Sequence, residues 1–495
     1  MLTAGILFHT FIMLMANTMA HPNFVLIITD DQDLLLDGLV PMKNTLKLIA
    51  NEGKTFQNAF VNTPICCPSR STILTGKYAH NTGVTNNTVS GNCSSKYWQE
   101  QHEPSSIAAL LKNSSGYLNF YAGKYLNRYG FDDVGGTKHI PKGYDWWIGL
   151  KGNSRYYNYT LSVNGTAVSH NADYLTDVLA AHSLDFLENR APDKPFFMTI
   201  APPAPHAPFT PAKRHENAFP GTKALRTPSF NETPSDKHWL VGMTPTTLPA
   251  NVTILDGIQQ GRLESLLAVD ELVKGIITKL KDSDVLDNTY IIFTSDNGFH
   301  IGQFTQPWDK RQPYETDIRI PFLISGPKIP KRTLTKYPVS AVDIAPTILD
   351  LADVNIPSSM DGKSFKSQLF SSAEIPTNDF IFVEYWGEGA PKTIDARCPW
   401  KGDDELSECS LDQWCKCQDS RNNTYSCIIE LTQSQQMKFC EFEDEQAFRE
   451  TYDLMIDPYE LKNLAYELSE DVVRRYQDIV RKFKTCQGRN CYTLE

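Results

Sequence analysis

The sequence predicts an α/β protein, a mostly parallel sheet with helices on both faces, and three observations predict it. Short, mostly apolar runs recur at Asn23–Thr29 (NFVLIIT), Pro195–Ala201 (PFFMTIA) and Thr289–Ser295 (TYIIFTS), the length and composition of strands buried on both sides. Segments with helical periodicity alternate with them, at Pro41–Gly53, Asp173–Arg190, Arg262–Lys281 and Val342–Ala352. Two of the runs end abruptly in acidic or polar residues, Asp30-Asp31-Gln32-Asp33 and Asp296-Asn297-Gly298. In open α/β sheets ligands bind beyond the carboxyl ends of strands, so these two junctions are where chemistry is expected.

Along the chain, residues 1–20 have no acidic side chain, an apolar centre from Ile6 to Met15, and small residues before His21. They read as a signal peptide. No later apolar run reaches the ~18 residues needed to cross a bilayer, so a secreted or lumenal protein without a membrane span is expected. A large first domain is predicted over residues 21–375, with a further strand at Ile320–Ser325. A smaller cysteine-rich subdomain follows over 376–495, opening with a strand at Asp379–Tyr385. Eight of the eleven cysteines lie between Cys398 and Cys491, a density that reads as disulfide stapling in an oxidising compartment, with Cys486 and Cys491 close enough to pair locally. An odd total leaves one cysteine unpaired, and the adjacent Cys66 and Cys67 are where it is sought. Sequons begin at Asn86, Asn92, Asn113, Asn158, Asn164, Asn231, Asn251 and Asn422, as expected of a glycoprotein.

At 495 residues with a formal charge of -11, the chain lacks the basic footprint of a nucleic-acid-binding protein. A small anionic substrate remains compatible, because a site can be locally positive within an acidic molecule.

Carboxylates crowded at strand ends repel one another unless a cation lies between them. Asp30, Asp31 and Asp296, with the Asn297 amide oxygen, form an all-oxygen set suited to Ca²⁺ or Mg²⁺ rather than zinc. The second feature is Cys66-Cys67-Pro68-Ser69-Arg70-Ser71-Thr72-Ile73-Leu74-Thr75-Gly76. Pro68 suits the first turn of a helix whose free N–H groups favour an anion, and Cys66 is expected just ahead of that turn.

This run fits Cys-x-Pro-Ser-Arg-x-x-x-Leu-Thr-Gly, and on it the chain resembles the type I sulfatases. Further segments carry the resemblance: TDDQD (29–33), AGKYLNRYG (122–130), SRYYNYTLSVNG (154–165), APPAPHAP (201–208), SDNGFHIGQF (295–304), DKRQPYE (309–315) and VEYWGEG (383–389). They point to the glucosamine-6-sulfatase branch, in which the lysosomal exo-acting enzymes lack the long basic insert of the extracellular heparan endosulfatases, as this chain does. The resemblance implies an alkaline-phosphatase-like sulfatase fold and hydrolysis of 6-O-sulfate esters of N-acetylglucosamine in heparan or keratan sulfate. It also implies a lysosomal destination and conversion of Cys66 to formylglycine by the formylglycine-generating enzyme. Carried over residue by residue, it makes Asp30, Asp31, Asp296, Asn297 and modified residue 66 the Ca²⁺ ligands. Arg70 would orient the formylglycine, Lys124 and Lys310 would hold sulfate oxygens, and His206 would protonate the leaving oxygen.

Anionic neighbours are expected to keep the His206 pKa near or above its usual value of about 6.5. His300 is a further substrate-binding candidate, and Trp386 with Glu384 and Glu388 could line a sugar site. One position departs from the family pattern: Leu126 stands where many sulfatases have a histidine, with Asn127 the nearest polar residue. Two rival readings are a non-catalytic glycan-binding protein on the same fold, and a phosphoesterase. The intact Cys66, Arg70 and carboxylates count against the first. The second would call for a serine or threonine nucleophile and a histidine-rich zinc set.

Overall fold

The computed structural model describes residues 21–371, 379–401, 405–432 and 434–492. The expected signal peptide and the 375/376 boundary lie outside these residues.

Ten strands form the main sheet: β1 (Asn23–Thr29), β2 (Gly53–Phe56), β3 (Leu118–Gly123), β4 (Trp146–Leu150), β5 (Tyr159–Val163), β6 (Thr166–His170), β7 (Phe196–Ala201), β8 (Thr289–Ser295), β9 (Phe322–Ser325) and β10 (Thr333–Thr335). Their order is β10-β2-β9-β8-β1-β7-β3-β4-β5-β6. The central block β8-β1-β7-β3-β4 is parallel, as expected. The flanks differ, because β9 runs antiparallel to both β8 and β2, and β5 and β6 close the other edge as an antiparallel hairpin. The run Ile320–Ser325 is therefore a strand only from Phe322, and of opposite direction to the block. No crossover helix of the length needed for a parallel return separates it from β8.

The apolar run of β1 is continuous because both of its faces are covered. Phe24, Leu26 and Ile28 enter one core, beneath the helices Cys66–Thr75, Ile107–Ser115 and Ile344–Leu351. Val25 and Ile27 enter the other, beneath Leu175–Asn189 and the thirty-residue helix Thr253–Asp282. The expected helix at Pro41–Gly53 is shorter, a single α turn at Lys43–Thr45 followed by a wider π turn at Leu46–Ala50.

After Asp379, four antiparallel strands form a second sheet: β11 (Asp379–Tyr385), β12 (Tyr425–Leu431), β13 (Gln436–Phe442) and β14 (Arg449–Asp453). The helix Glu470–Thr485 packs on it through Val473, Tyr476, Val480 and Phe483. This sheet is joined to the first without a gap, since one apolar cluster runs from Ile28 and Phe60 into Val383, Cys427 and Tyr452. Four disulfides staple this half: Cys398–Cys415, Cys409–Cys417, Cys427–Cys440 and the local Cys486–Cys491. The fifth, Cys67–Cys93, lies in the first half and leaves Cys66 as the free cysteine. No helix among the described residues is long and apolar enough to cross a membrane.

Candidate active site

Strands β1 and β8 are neighbours in parallel register, with Thr29 opposite Ser295, so Asp30 and Asp296 leave the sheet side by side. The Asp31 amide donates to Asp296 Oδ1 at 3.0 Å, which locks the two strand ends together. The helix bearing Cys66 starts over the same place, with Cys66 Sγ 3.7 Å from Asp30 Oδ1. Ile65 is extended (φ −153°) and caps it, so the helix begins at Cys66 rather than after it. Pro68 is tolerated as the third residue because the first-turn N–H groups have no helical partner in any case. Gly76 closes the helix in the left-handed conformation (φ 65°).

All four carboxylate or thiol centres are buried. Asp30, Asp31, Cys66 and His206 present ligand atoms that lie within 4.8 Å of one another. Three cations bind the carboxylates. Arg70 Nε donates to Asp296 Oδ2 at 2.8 Å, Lys124 Nζ to Asp30 Oδ2 at 2.7 Å, and Lys310 Nζ to Asp31 Oδ2 at 2.9 Å. Arg70 Nη1 also donates to the Lys124 carbonyl at 2.8 Å, which Tyr121 Oη shares at 2.6 Å.

The electrostatics follow from these contacts. Burial would raise the Asp30 carboxyl, but Lys124, His206 and Arg70 together hold it well below the usual carboxylate range. Asp31 is likewise lowered against the effect of burial, chiefly by Lys310 and His206. Asp296 behaves oppositely, because burial and the charge on Asp30 outweigh Arg70 and lift it to about 7. Burial pushes the Cys66 thiol up to about 12, despite Lys124 and Lys310.

His206 reaches the cluster from the loop after β7. Its Nδ1 lies 2.7 Å from the Ala207 carbonyl, leaving Nε2 to face Asp31 Oδ2 at 3.8 Å. Burial lowers its pKa below 6.5, and Asp30 and Asp31 only partly offset this. The expectation of an unshifted or raised value is thus corrected, because the cost of burying the imidazolium outweighs its anionic neighbours.

His300 has Nδ1 3.0 Å from Asp317 and Nε2 3.2 Å from Gln418 Oε1, so both ring nitrogens face protein partners. Its pKa is raised, burial being overcome by Asp317. Of the suggested sugar-lining residues, Glu384 is buried against His80 and Trp386, whereas Trp386 itself is 39% exposed. Leu126 is fully buried in the apolar core. Asn127 is nearly so and its Oδ1 has no protein partner.

Sequence reasoning missed Ser154, whose hydroxyl donates to Asp30 Oδ2 from the segment between β4 and β5. It lies within a segment already noted (154–165), but an isolated serine in a loop gives no signal of its own. It also missed Asn87, which accepts the Cys67 amide at 2.9 Å.

The donor set fits a hard divalent cation. Three carboxylates converge, and Asn297 Oδ1 is buried among them with no hydrogen-bond partner, while its Nδ2 donates to Asp31 Oδ1 at 2.7 Å. A buried acceptor left without a protein partner beside crowded carboxylates suits a hard divalent cation.

A parallel sheet whose strand-end carboxylates face a helix-borne Cys-x-Pro-Ser-Arg run defines a sulfuric ester hydrolase site. The sulfatase family model matches residues 22–354, and the chain belongs to the sulfatase family. Among its relatives, N-acetylglucosamine-6-sulfatase of Capra hircus is 44% identical over 478 residues, covering 95% of this chain and 85% of that one. The Homo sapiens enzyme of the same name is also 44% identical, over 95% and 86%. The extracellular sulfatase SULF-1 homolog of Drosophila melanogaster is 41% identical over 71% of this chain but only 31% of its own. Among solved structures, BT4656 in complex with its substrate D-glucosamine-2-N,6-O-disulfate superposes with a TM-score of 0.73 at 22% identity, covering 94% and 97% of the two chains. Phosphonate monoester hydrolase from Silicibacter pomeroyi gives 0.70 at 18%, over 96% and 97%. At such identities these two structures speak to the fold alone. The family implies a formylglycine and a divalent metal, which accords with the buried cluster around Cys66.

Proposed function

We propose that this protein hydrolyses the 6-O-sulfate ester of N-acetylglucosamine residues in heparan or keratan sulfate. The observation that carries the reading is the convergence of Cys66, Arg70, Lys124, His206 and Lys310 on the Asp30, Asp31, Asp296 and Asn297 cluster. The 44% identity to N-acetylglucosamine-6-sulfatases across nearly the full chain supports the choice of sugar.

Asp30, Asp31, Asp296, Asn297 and residue 66 would hold the cation, and their oxygen chemistry favours Ca²⁺. A formylglycine at 66, installed by the formylglycine-generating enzyme, would supply a hydrated aldehyde, one hydroxyl serving as nucleophile toward sulfur and the other allowing sulfate to be released. The remaining work falls to this chain's side chains. Lys124 and Lys310 bring two ammonium groups to the site, where they can bind sulfate oxygens and stabilise charge that grows in the transition state. Arg70 orients residue 66 through its bridge to Asp296. His206 Nε2, when protonated, donates to the departing sugar oxygen. Ser154 holds Asp30 in place beside Lys124.

The division into a catalytic part, 21–375, and a cysteine-rich part, 376–495, belongs to the same reading, supported by their separate sheets. So does a lysosomal location, where an acidic medium keeps a histidine acid charged.

The test has two arms on protein from a secretory eukaryotic host. Mass spectrometry of the peptide spanning Cys66 should show loss of the thiol and reactivity with aldehyde reagents. A panel of monosulfated sugars should show release of sulfate from N-acetylglucosamine-6-sulfate in preference to 2-O- or 3-O-sulfated sugars. A fully alkylatable Cys66 in active protein, or an indifferent panel, would overturn the reading.

A further inference from the structure

We infer that Arg262 is a positioning residue, set in the long helix Thr253–Asp282, that holds both strand-end loops in the arrangement the divalent cation requires. The inference rests on the metal role proposed above and extends it to a residue outside the ligand set.

Arg262 is 1% exposed. Its Nη2 donates to the Asp31 carbonyl at 3.0 Å and to Asp33 Oδ1 at 2.6 Å. The same guanidinium lies 3.8 Å over the ring centroid of Phe299, two residues past Asn297. One buried side chain therefore touches the loop after β1 and the loop after β8, which carry all the carboxylates of the cluster.

The backbone gives a reason for such a brace. Asp31 sits at φ 64°, the left-handed region that a residue with a Cβ seldom occupies, and it persists only when its surroundings enforce it. The hydrogen bond from Arg262 falls on that residue's own carbonyl. Asp33, the ion-pair partner, turns its other oxygen to the amides of Leu36 and Gly38, at 2.7 and 3.2 Å, so the turn beyond Asp31 is closed on the same salt bridge.

The helix holds the following segment at two further points. Gln259 Nε2 donates to the Leu36 carbonyl at 2.7 Å, and Asp270 accepts from the amides of Asn44 and Thr45 at 2.9 and 2.8 Å. These contacts also fasten the segment, but neither bears on the Asp31 carbonyl or on the loop after β8. They serve as the structural control.

Arginine suits this role and lysine does not. A planar guanidinium can serve a carbonyl, a carboxylate and an aromatic face at once, whereas an ammonium is a single point of charge. Changes at groups that orient metal ligands typically cost about 10–100-fold in metal affinity.

The test uses full-length protein stripped with chelator, with calcium chloride as the probe, calorimetric titration as the primary readout and thermal unfolding in chelator as the control. Arg262→Lys and, separately, Asp33→Asn should each raise the calcium half-saturation concentration about tenfold or more. Turnover should recover when calcium is raised, with KM for the sulfate ester little changed. Gln259→Ala should lower the unfolding temperature without moving the calcium midpoint. If Arg262→Lys does not fold, Asp33→Asn decides alone. Unchanged calcium midpoints in folded variants, or losses of activity that excess calcium does not repair, would overturn the inference. Failure of the wild-type protein to bind calcium at all would instead overturn the metal assignment beneath it.

Discussion

The amide of Cys67 donates to Asn87 Oδ1 at 2.9 Å, and Cys67 is itself bonded to Cys93, so the residue after the candidate nucleophile is tied twice to one loop. The two adjacent cysteines thus have opposite tasks. Cys67 is structural, and Cys66 is kept free of it.

This separation is measurable. Removing the Cys67–Cys93 link with Cys67→Ala and Cys93→Ala opens a closed loop of sequence separation 26 and should reduce unfolding free energy by about 3 kcal/mol. Cys66→Ala should abolish turnover with an effect on stability below about 1 kcal/mol, the range of changes that break no such constraint. Denaturant unfolding of the two variants side by side checks this. Equal destabilisation would mean that Cys66 also serves the fold.

Asp296 joins the cation site to Arg70. Asp296→Ala deletes an anionic ligand and leaves the buried Arg70 Nε without its acceptor, so calcium binding by calorimetry should fall below detection. Breaking a buried ion pair by one partner typically costs about 3 kcal/mol or more, so the variant should also unfold more easily. In the wild-type protein, chelation should remove activity and calcium should restore it. Full recovery with zinc alone would contradict the all-oxygen ligand set.

Stability should rise on acidification from pH 8 to 5, and a buried triad outside the proposed ligand set gives the reason. Lys438 pairs with both Glu315 and Glu460, two carboxylates sharing one cation. Burial, with the like charge on Glu315, raises Glu460 to about 7, although Lys438 opposes the shift. Its folded pKa is above the usual value of about 4.3, so the stability it contributes is full below that value and is lost as pH rises through about 7. Glu460→Gln keeps the shape without the titration, and the slope of unfolding temperature between pH 5 and 8 should flatten. An unchanged slope would assign the effect to other groups.

The candidate site was legible in the sequence where its residues sit at the ends of buried strands or within a contiguous motif. Asp30, Asp31, Asp296 and Asn297 directly follow β1 and β8, and Cys66 to Arg70 form one helical turn. Residues that act from a distance left no local trace. Arg262 lies in a helix whose pattern reports only its apolar face, and its contact with Asp31 spans 231 residues. The partner of Cys67 was open for the same reason, because spacing alone does not choose among ten other cysteines. The direction of β9 also escaped, since a buried apolar run looks alike in either orientation.

His206 gives the last prediction. With Nδ1 against the Ala207 carbonyl, only Nε2 faces the cluster, and it can donate a proton to the leaving oxygen only when the ring is charged. The rate on a sugar sulfate should therefore fall as pH rises. Because burial lowers this pKa, the fall should lie below about 6.5 rather than above it. A sugar alkoxide is a poor leaving group and needs that proton, whereas an activated aryl sulfate does not. His206→Ala should thus slow hydrolysis of N-acetylglucosamine-6-sulfate by about 10²–10⁴-fold, the usual share of general acid catalysis, and slow an aryl sulfate far less. The variant should also lose the limb of the pH profile that the wild type shows on the sugar. Measuring kcat for both substrates across pH in both proteins separates the roles. Equal losses on the two substrates would show that His206 binds the sulfate group, and the acid would then have to come from another residue facing the leaving oxygen.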